Sequence, residues 1–219
     1  FLFFVLSGYL IGRMWWPELQ VSYAQFAWRR TLRIYPAFLL AFVASLLFVM
    51  ADGAEPLPDA ARLVGNLFFL NGAPRSGIEP LNTVTWSLFY EMSFYLGFPL
   101  LVLAAMRASA RAVPWVPVVG ILVPIACVLA GADSLVLCWA LLFGGVALAF
   151  WSDAAMPLLA RVPAAVVVML YLAVTTSAML DGAPQLMSII AFGAVAVLVI
   201  AKCVAGDNVI AATLAWSPL

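Results

Sequence analysis

Glu91 is the residue most in need of an explanation. It stands in "TVTWSLFYEMSFYLGFPLL", residues 83–101, an apolar stretch with no basic residue of its own. Thr83, Ser87, Glu91 and Tyr95 recur every four residues, so a helix would carry them as one polar stripe on an apolar cylinder. If that helix starts at Thr83, Glu91 lies roughly 12 Å along it. That depth is well inside a hydrocarbon core about 30 Å thick. An acid there costs about 2.5–3.5 kcal/mol on insertion scales. One reading is a protonated Glu bonded to a neighbouring helix. The other is a carboxyl group lining a cavity or pathway, the usual setting for acids inside membranes.

Two further stretches could do chemistry. "FAWRRTLRIYP", residues 26–36, sets Arg30 and Arg33 three apart and Arg29 and Arg33 four apart, so a helix presents them as neighbours. Guanidinium forks match phosphate oxygens bidentately, which makes a phosphate clamp. An interfacial anchor, with Trp28 and the arginines at anionic lipid heads, uses the same residues. Pro36 then shapes the approach to the following span. "FFVLSGYLIG", residues 3–12, carries Gly8 and Gly12 four apart, one face on which a neighbouring backbone could come close. Ser7 lacks the adjacent base or sharp strand-to-helix turn of a nucleophile, so the stretch reads as helix packing.

Positioning these groups falls to membrane helices. The chain has 219 residues, 67% hydrophobic and 9% charged, with a mean hydropathy of +1.14. A soluble surface needs far more polar residues, since ordinary usage is about 25% charged. A net charge of zero gives no reason to expect a nucleic-acid partner. The absence of histidine excludes a histidine-based site within these residues. Cys127, Cys138 and Cys203 lack metal spacing, so no metal is expected.

The fold expected is all-α, a polytopic transmembrane bundle. Full spans are expected at 34–50, 84–106, 113–130, 135–151, 164–180 and 185–202, with partial ones at 1–13 and 208–219. The whole, 1–219, reads as a single transmembrane domain cut at both ends. Turn chemistry separates the spans, as in "GADS" at 131–134 and "DGAP" at 181–184. The long connection 51–83 contains "ARLVGNLFFL", expected as a short interfacial or re-entrant helix. Alternating the spans gathers Arg13, Arg29, Arg30, Arg33, Arg107, Arg111, Arg161 and Lys202 on one face, against Arg62 and Arg75 on the other. The richer face is cytoplasmic by the positive-inside rule.

Together and in this order, the stretches resemble the acyltransferase 3 family of integral membrane acyltransferases. The resemblance rests on Phe3, Phe4, Ser7 and Gly8, on "RRTLRIYP" from Arg29 to Pro36, and on Trp86, Ser87, Leu88, Glu91, Phe94 and Tyr95 in a W-S-L-x-x-E-x-x-F-Y pattern. It implies about ten spans in the bacterial inner membrane. It also implies transfer of an acyl group, commonly acetyl, from acyl-CoA to a hydroxyl of a cell-surface glycan or glycosylated acceptor. The same resemblance makes Arg30 and Arg33 contacts for the CoA phosphates. Glu91 becomes a supporting catalytic residue, and Trp86, Ser87 and Tyr95 substrate-site candidates. The main base it implies is a histidine in a span preceding the "FFVLSG" block. No bound cofactor is expected beyond acyl-CoA as donor substrate, and the further partners are the acceptor and membrane lipids.

A transporter of a polar or lipid-linked glycan, with Glu91 as coupling or substrate site, is the competing reading. Transporters often carry repeats with matching broken helices, and no internal repeat is visible here. A non-catalytic scaffold would leave both the acid and the arginines unexplained.

Overall fold

The computed structural model describes the chain except residues 16–21, 53–56, 153–157, 160, 181–184 and 205–219. The described residues are helical with no strand. The helices are α1 (Leu2–Trp15), α2 (Tyr23–Asp52), α3 (Ala60–Leu67), α4 (Trp86–Ala108), α5 (Trp115–Leu129), α6 (Leu137–Phe150), α7 (Ala164–Leu180) and α8 (Gln185–Val204). Each expected span within the described residues is a helix; the partial span at 208–219 lies outside them. Two helices, Tyr23–Ala51 and Trp86–Ala108, are long and apolar enough to cross a membrane. Shorter apolar helices account for the rest.

The chain divides into two compact units, Leu19–Arg107 and a split unit of Phe1–Glu18 with Ala108–Leu219. In the split unit α1 lies directly on α6. A Cβ on Gly8 would fall 1.8 Å from the Leu142 carbonyl oxygen, and one on Gly145 would fall 2.0 Å from the Val5 oxygen. The crossing therefore closes backbone to backbone, as small residues allow. Gly12 continues the seam against Ala149, and Ile11, Leu142 and Val146 fill it completely. Ser7, 7% exposed, belongs to this packed helix.

The continuous unit is held by other means. Ser22 caps α2 by accepting the Gln25 N–H at 3.3 Å. The helix then runs unbroken through Pro36, joining the arginine stretch to the span expected at 34–50. Membrane helices tolerate such a proline because neighbouring groups satisfy the freed carbonyl. At its length α2 reaches roughly 44 Å, against a core of about 30 Å. Only 6% of its most apolar window is buried, against 39% for α4. That exposure distinguishes α2 from the core helix of a soluble protein.

α3 is the short helix expected in the long connection, capped by Asp59 through the Arg62 N–H at 2.7 Å. A 3-10 turn at Leu70–Gly72 follows. Between them Phe69 adopts a left-handed conformation, φ 61°, uncommon for a bulky residue. Its buried ring fixes it there, with centroids 4.5 Å from Phe38 and 5.3 Å from Tyr35. The Tyr35 hydroxyl donates to the Leu67 carbonyl at 3.4 Å. The segment thus lies against the middle of α2.

Candidate active site

α4 begins at Trp86, two residues after the expected start of the span at 84 and three after Thr83. The cause is local: the Asn82 side chain accepts the Val84 N–H at 2.9 Å, an Asx turn that competes with helix. Thr85 then donates to the Asn82 carbonyl at 2.7 Å. Thr83 drops out of the polar stripe, leaving Ser87, Glu91 and Tyr95. Glu91 sits roughly 7–8 Å from the helix start rather than 12 Å.

The connection before α4 seats its first turn. Asn66, 2% exposed, donates to the Arg62 and Glu79 carbonyls, both at 2.9 Å, and accepts the Leu81 N–H at 2.9 Å. Asn71 donates to Thr85 Oγ1 at 3.0 Å. Gly72 lies so close to α4 that a Cβ there would meet the Trp86 carbonyl oxygen at 2.2 Å. The register of α4, and hence the place of Glu91, is set by this connection.

One turn after Glu91, the Tyr95 hydroxyl donates to Glu91 Oε1. The face of the same tyrosine ring receives the Arg30 guanidinium, whose Cζ lies 5.5 Å from its centroid. Phe26, one turn earlier on α2, faces that Cζ at 5.4 Å. Arg30, Tyr95 and Glu91 are 6%, 4% and 2% exposed, so a buried cation, phenol and acid form one cluster. Tyr90, Phe94 and Phe98 on the same helix are buried too, all at or below 2% exposure. Electrostatic interactions gain strength in such a dry setting. The Tyr23 hydroxyl donates to the Leu96 carbonyl at 3.2 Å, tying the start of α2 to the same stretch of α4.

The structure brings some of the expected site residues together and separates others. Arg30 joins Glu91 and Tyr95 in the interior, whereas Arg33 and Arg29 are exposed on α2. Ser87 is half-buried and donates to the Val84 carbonyl at 3.1 Å. Trp86 is half-buried and meets the Tyr90 ring edge to face at 6.1 Å. Phe26 and the asparagines of the connection were not singled out from the sequence. Asn66 and Asn71, polar groups inside "VGNLFFLNG", were the available signal. Among the described residues, no three His, Cys, Asp or Glu stand together as metal ligands. A cavity of about 150 Å³ in the split unit is lined by Phe1, Leu2, Tyr171 and Phe192 among others. Its lining has no charged side chain.

Sequence comparison gives the family. Residues 2–213 match the family described as an acyltransferase domain, so the chain belongs to the acyltransferase 3 family. It is similar to an uncharacterised protein of Haemophilus influenzae, 35% identical over 121 residues, 48% of this chain and 49% of that protein. It is also similar to "Acyltransferase MdmB" of Streptomyces mycarofaciens, 30% identical over 118 residues, 52% of this chain and 30% of that protein. The matched stretches thus span about half or less of these relatives. No solved structure matches.

Proposed function

We propose that the chain forms part of a multi-pass membrane acyltransferase of the bacterial inner membrane. It moves an acyl group, acetyl in the simplest case, from acyl-CoA to a hydroxyl of a cell-surface glycan or glycosylated acceptor. The observation that carries this reading is the buried Arg30–Tyr95–Glu91 cluster in a chain of the acyltransferase 3 family.

In the transfer, the acceptor hydroxyl oxygen attacks the thioester carbonyl carbon. A C–O bond forms, the C–S bond breaks, and CoA leaves as the thiol once protonated. The hydroxyl must lose its proton to a base, a role suited to histidine near neutral pH. A histidine outside residues 1–219 fills that role, and Glu91 supports it by orienting the acceptor or the base. Trp86, Ser87 and Tyr95 belong to the substrate site along the same helix. Arg33 offers an exposed fork to the CoA phosphates, and Arg30 a fork already desolvated and held in place. Both lie toward the cytoplasmic end of α2, where acyl-CoA is available.

Acyl-CoA affinity of the full-length protein in detergent tests the donor half of this reading. Arg33→Lys and Arg30→Lys should each weaken acetyl-CoA binding, because the bidentate fork is lost while the charge stays. Unchanged affinity in both, with normal expression, would leave the arginines as lipid anchors and remove the clamp.

A further inference from the structure

Tyr95 stands apart because its two ends do different things. Its ring face lies against the Arg30 guanidinium, 5.5 Å from centroid to Cζ. Its hydroxyl donates to Glu91 Oε1. Phe26 also lies against Arg30, its ring centroid 5.4 Å from Cζ, so two aromatic rings help to hold the guanidinium. An Arg side chain carries about 2 kcal/mol of rotamer entropy, and holding it beforehand favours a ligand that uses the fork. Glu91 gains a fixed rotamer from the tyrosine hydroxyl, since its partner lies one turn along the same helix. The tyrosine is itself 4% exposed and has little room to swing away.

We propose that Tyr95 is a positioning residue joining the two halves of the site: its ring orients Arg30 for the donor phosphates, and its hydroxyl orients Glu91 for the acceptor side. The ring role rests on the reading of Arg30 as a phosphate contact; the hydroxyl role does not. The two roles separate by substitution. Tyr95→Phe keeps the ring and removes the hydroxyl, while Tyr95→Leu removes both.

The experiment uses the full-length protein in detergent or lipid nanodiscs, with acetyl-CoA as probe. Tyr95→Phe should bind acetyl-CoA as the parent does, while turnover falls about 10- to 100-fold, the scale of a misplaced catalytic group. Tyr95→Leu should lose turnover similarly and also weaken acetyl-CoA binding about 3- to 30-fold, the scale of a cation–π contact. Infrared difference spectroscopy reads Glu91 without any substrate. The band identified by its loss in Glu91→Gln should move in both Tyr95 variants.

A Glu91 band unmoved by Tyr95→Phe overturns the hydroxyl role. Acetyl-CoA affinity falling as far in Tyr95→Phe as in Tyr95→Leu, or unchanged in both, overturns the ring role. Should the parent protein bind no acyl-CoA, the donor reading fails with the ring role, and the infrared band still decides the hydroxyl role. If Tyr95→Leu does not accumulate in the membrane, Tyr95→Met, nearer in volume, takes its place.

Discussion

The α1–α6 crossing and the α2–α4 pair join helices in opposite ways. In the first, glycines at positions 8, 12 and 145 let two backbones touch. In the second, the backbones stand further apart among the described residues, and Tyr23, Arg30 and Tyr95 bridge the space. A backbone seam leaves no room for a substrate, and its specificity is steric. A pair spaced by long side chains brings charge between its backbones. The acid that looked misplaced in an apolar helix belongs to the second kind of contact.

The sharpest way to break the comparison is to make one chemical change in both places. Gly8→Ala would drive a methyl into the Leu142 carbonyl, where backbone cannot yield as a side chain can. Its cost should reach or exceed the upper end of the about 1–3 kcal/mol typical of overpacking, read as a lowered unfolding temperature in detergent or loss of expression. Wild-type stability in Gly8→Ala would mean the seam is looser than described.

The next effect should come from the connection that seats α4. Asn66→Ala removes two donors and an acceptor from buried backbone groups. A buried group left unsatisfied costs about 1–3 kcal/mol. Stability should fall by about 2–4 kcal/mol in total, since water can reach some of the released groups, and residues 79–81 should lose hydrogen-exchange protection. Protection unchanged there would detach the connection from the placing of Glu91.

The smallest effect should come from Gly97→Ala on α4. No atom lies within 4 Å of the Cβ it would add, and alanine is favoured over glycine in a helix by about 0.5–1 kcal/mol. A small rise in thermal stability is expected. A loss as large as that of Gly8→Ala would erase the distinction between the two contacts.

The two contacts also differed in how legible they were. The Gly8/Gly12 spacing announced a close crossing because helical period alone puts both on one face. Its partner could not be read, since nothing in residues 1–13 says that Gly145 and Ala149 receive them. For Glu91, period predicted Tyr95 as a neighbour one turn along, and that neighbour is its hydrogen-bond partner. That Arg30 would turn inward while Arg33 stayed out was hidden. Both lie in one run of basic residues, and only the tertiary place of α4 decides between them. The start of α4 was misplaced because apolar continuity from Val84 onward hides the Asx turn at Asn82, a contest between side chain and backbone. The arginine stretch merges with the following span because a proline such as Pro36 is tolerated in a membrane helix.

The sidedness inferred from the arginines can be sharpened independently. Single cysteines at Ser76 and Ser109, in a background free of the native ones, should label from opposite sides of the membrane with an impermeant thiol reagent. Labelling from the same side would overturn the assignment of 51–83 to the outer face and 107–112 to the cytoplasm.

The most direct test of the central claim is acyl transfer by full-length protein carrying Glu91→Gln, measured in membrane vesicles with labelled acetyl-CoA and an isolated surface glycan. Gln keeps the size of the side chain and can still accept from Tyr95, so expression and acetyl-CoA affinity should hold. Turnover should fall about 100-fold or more, the contribution of a positioned acid–base group. Parent-level turnover in Glu91→Gln would make the carboxyl group structural and contradict the assignment of the site.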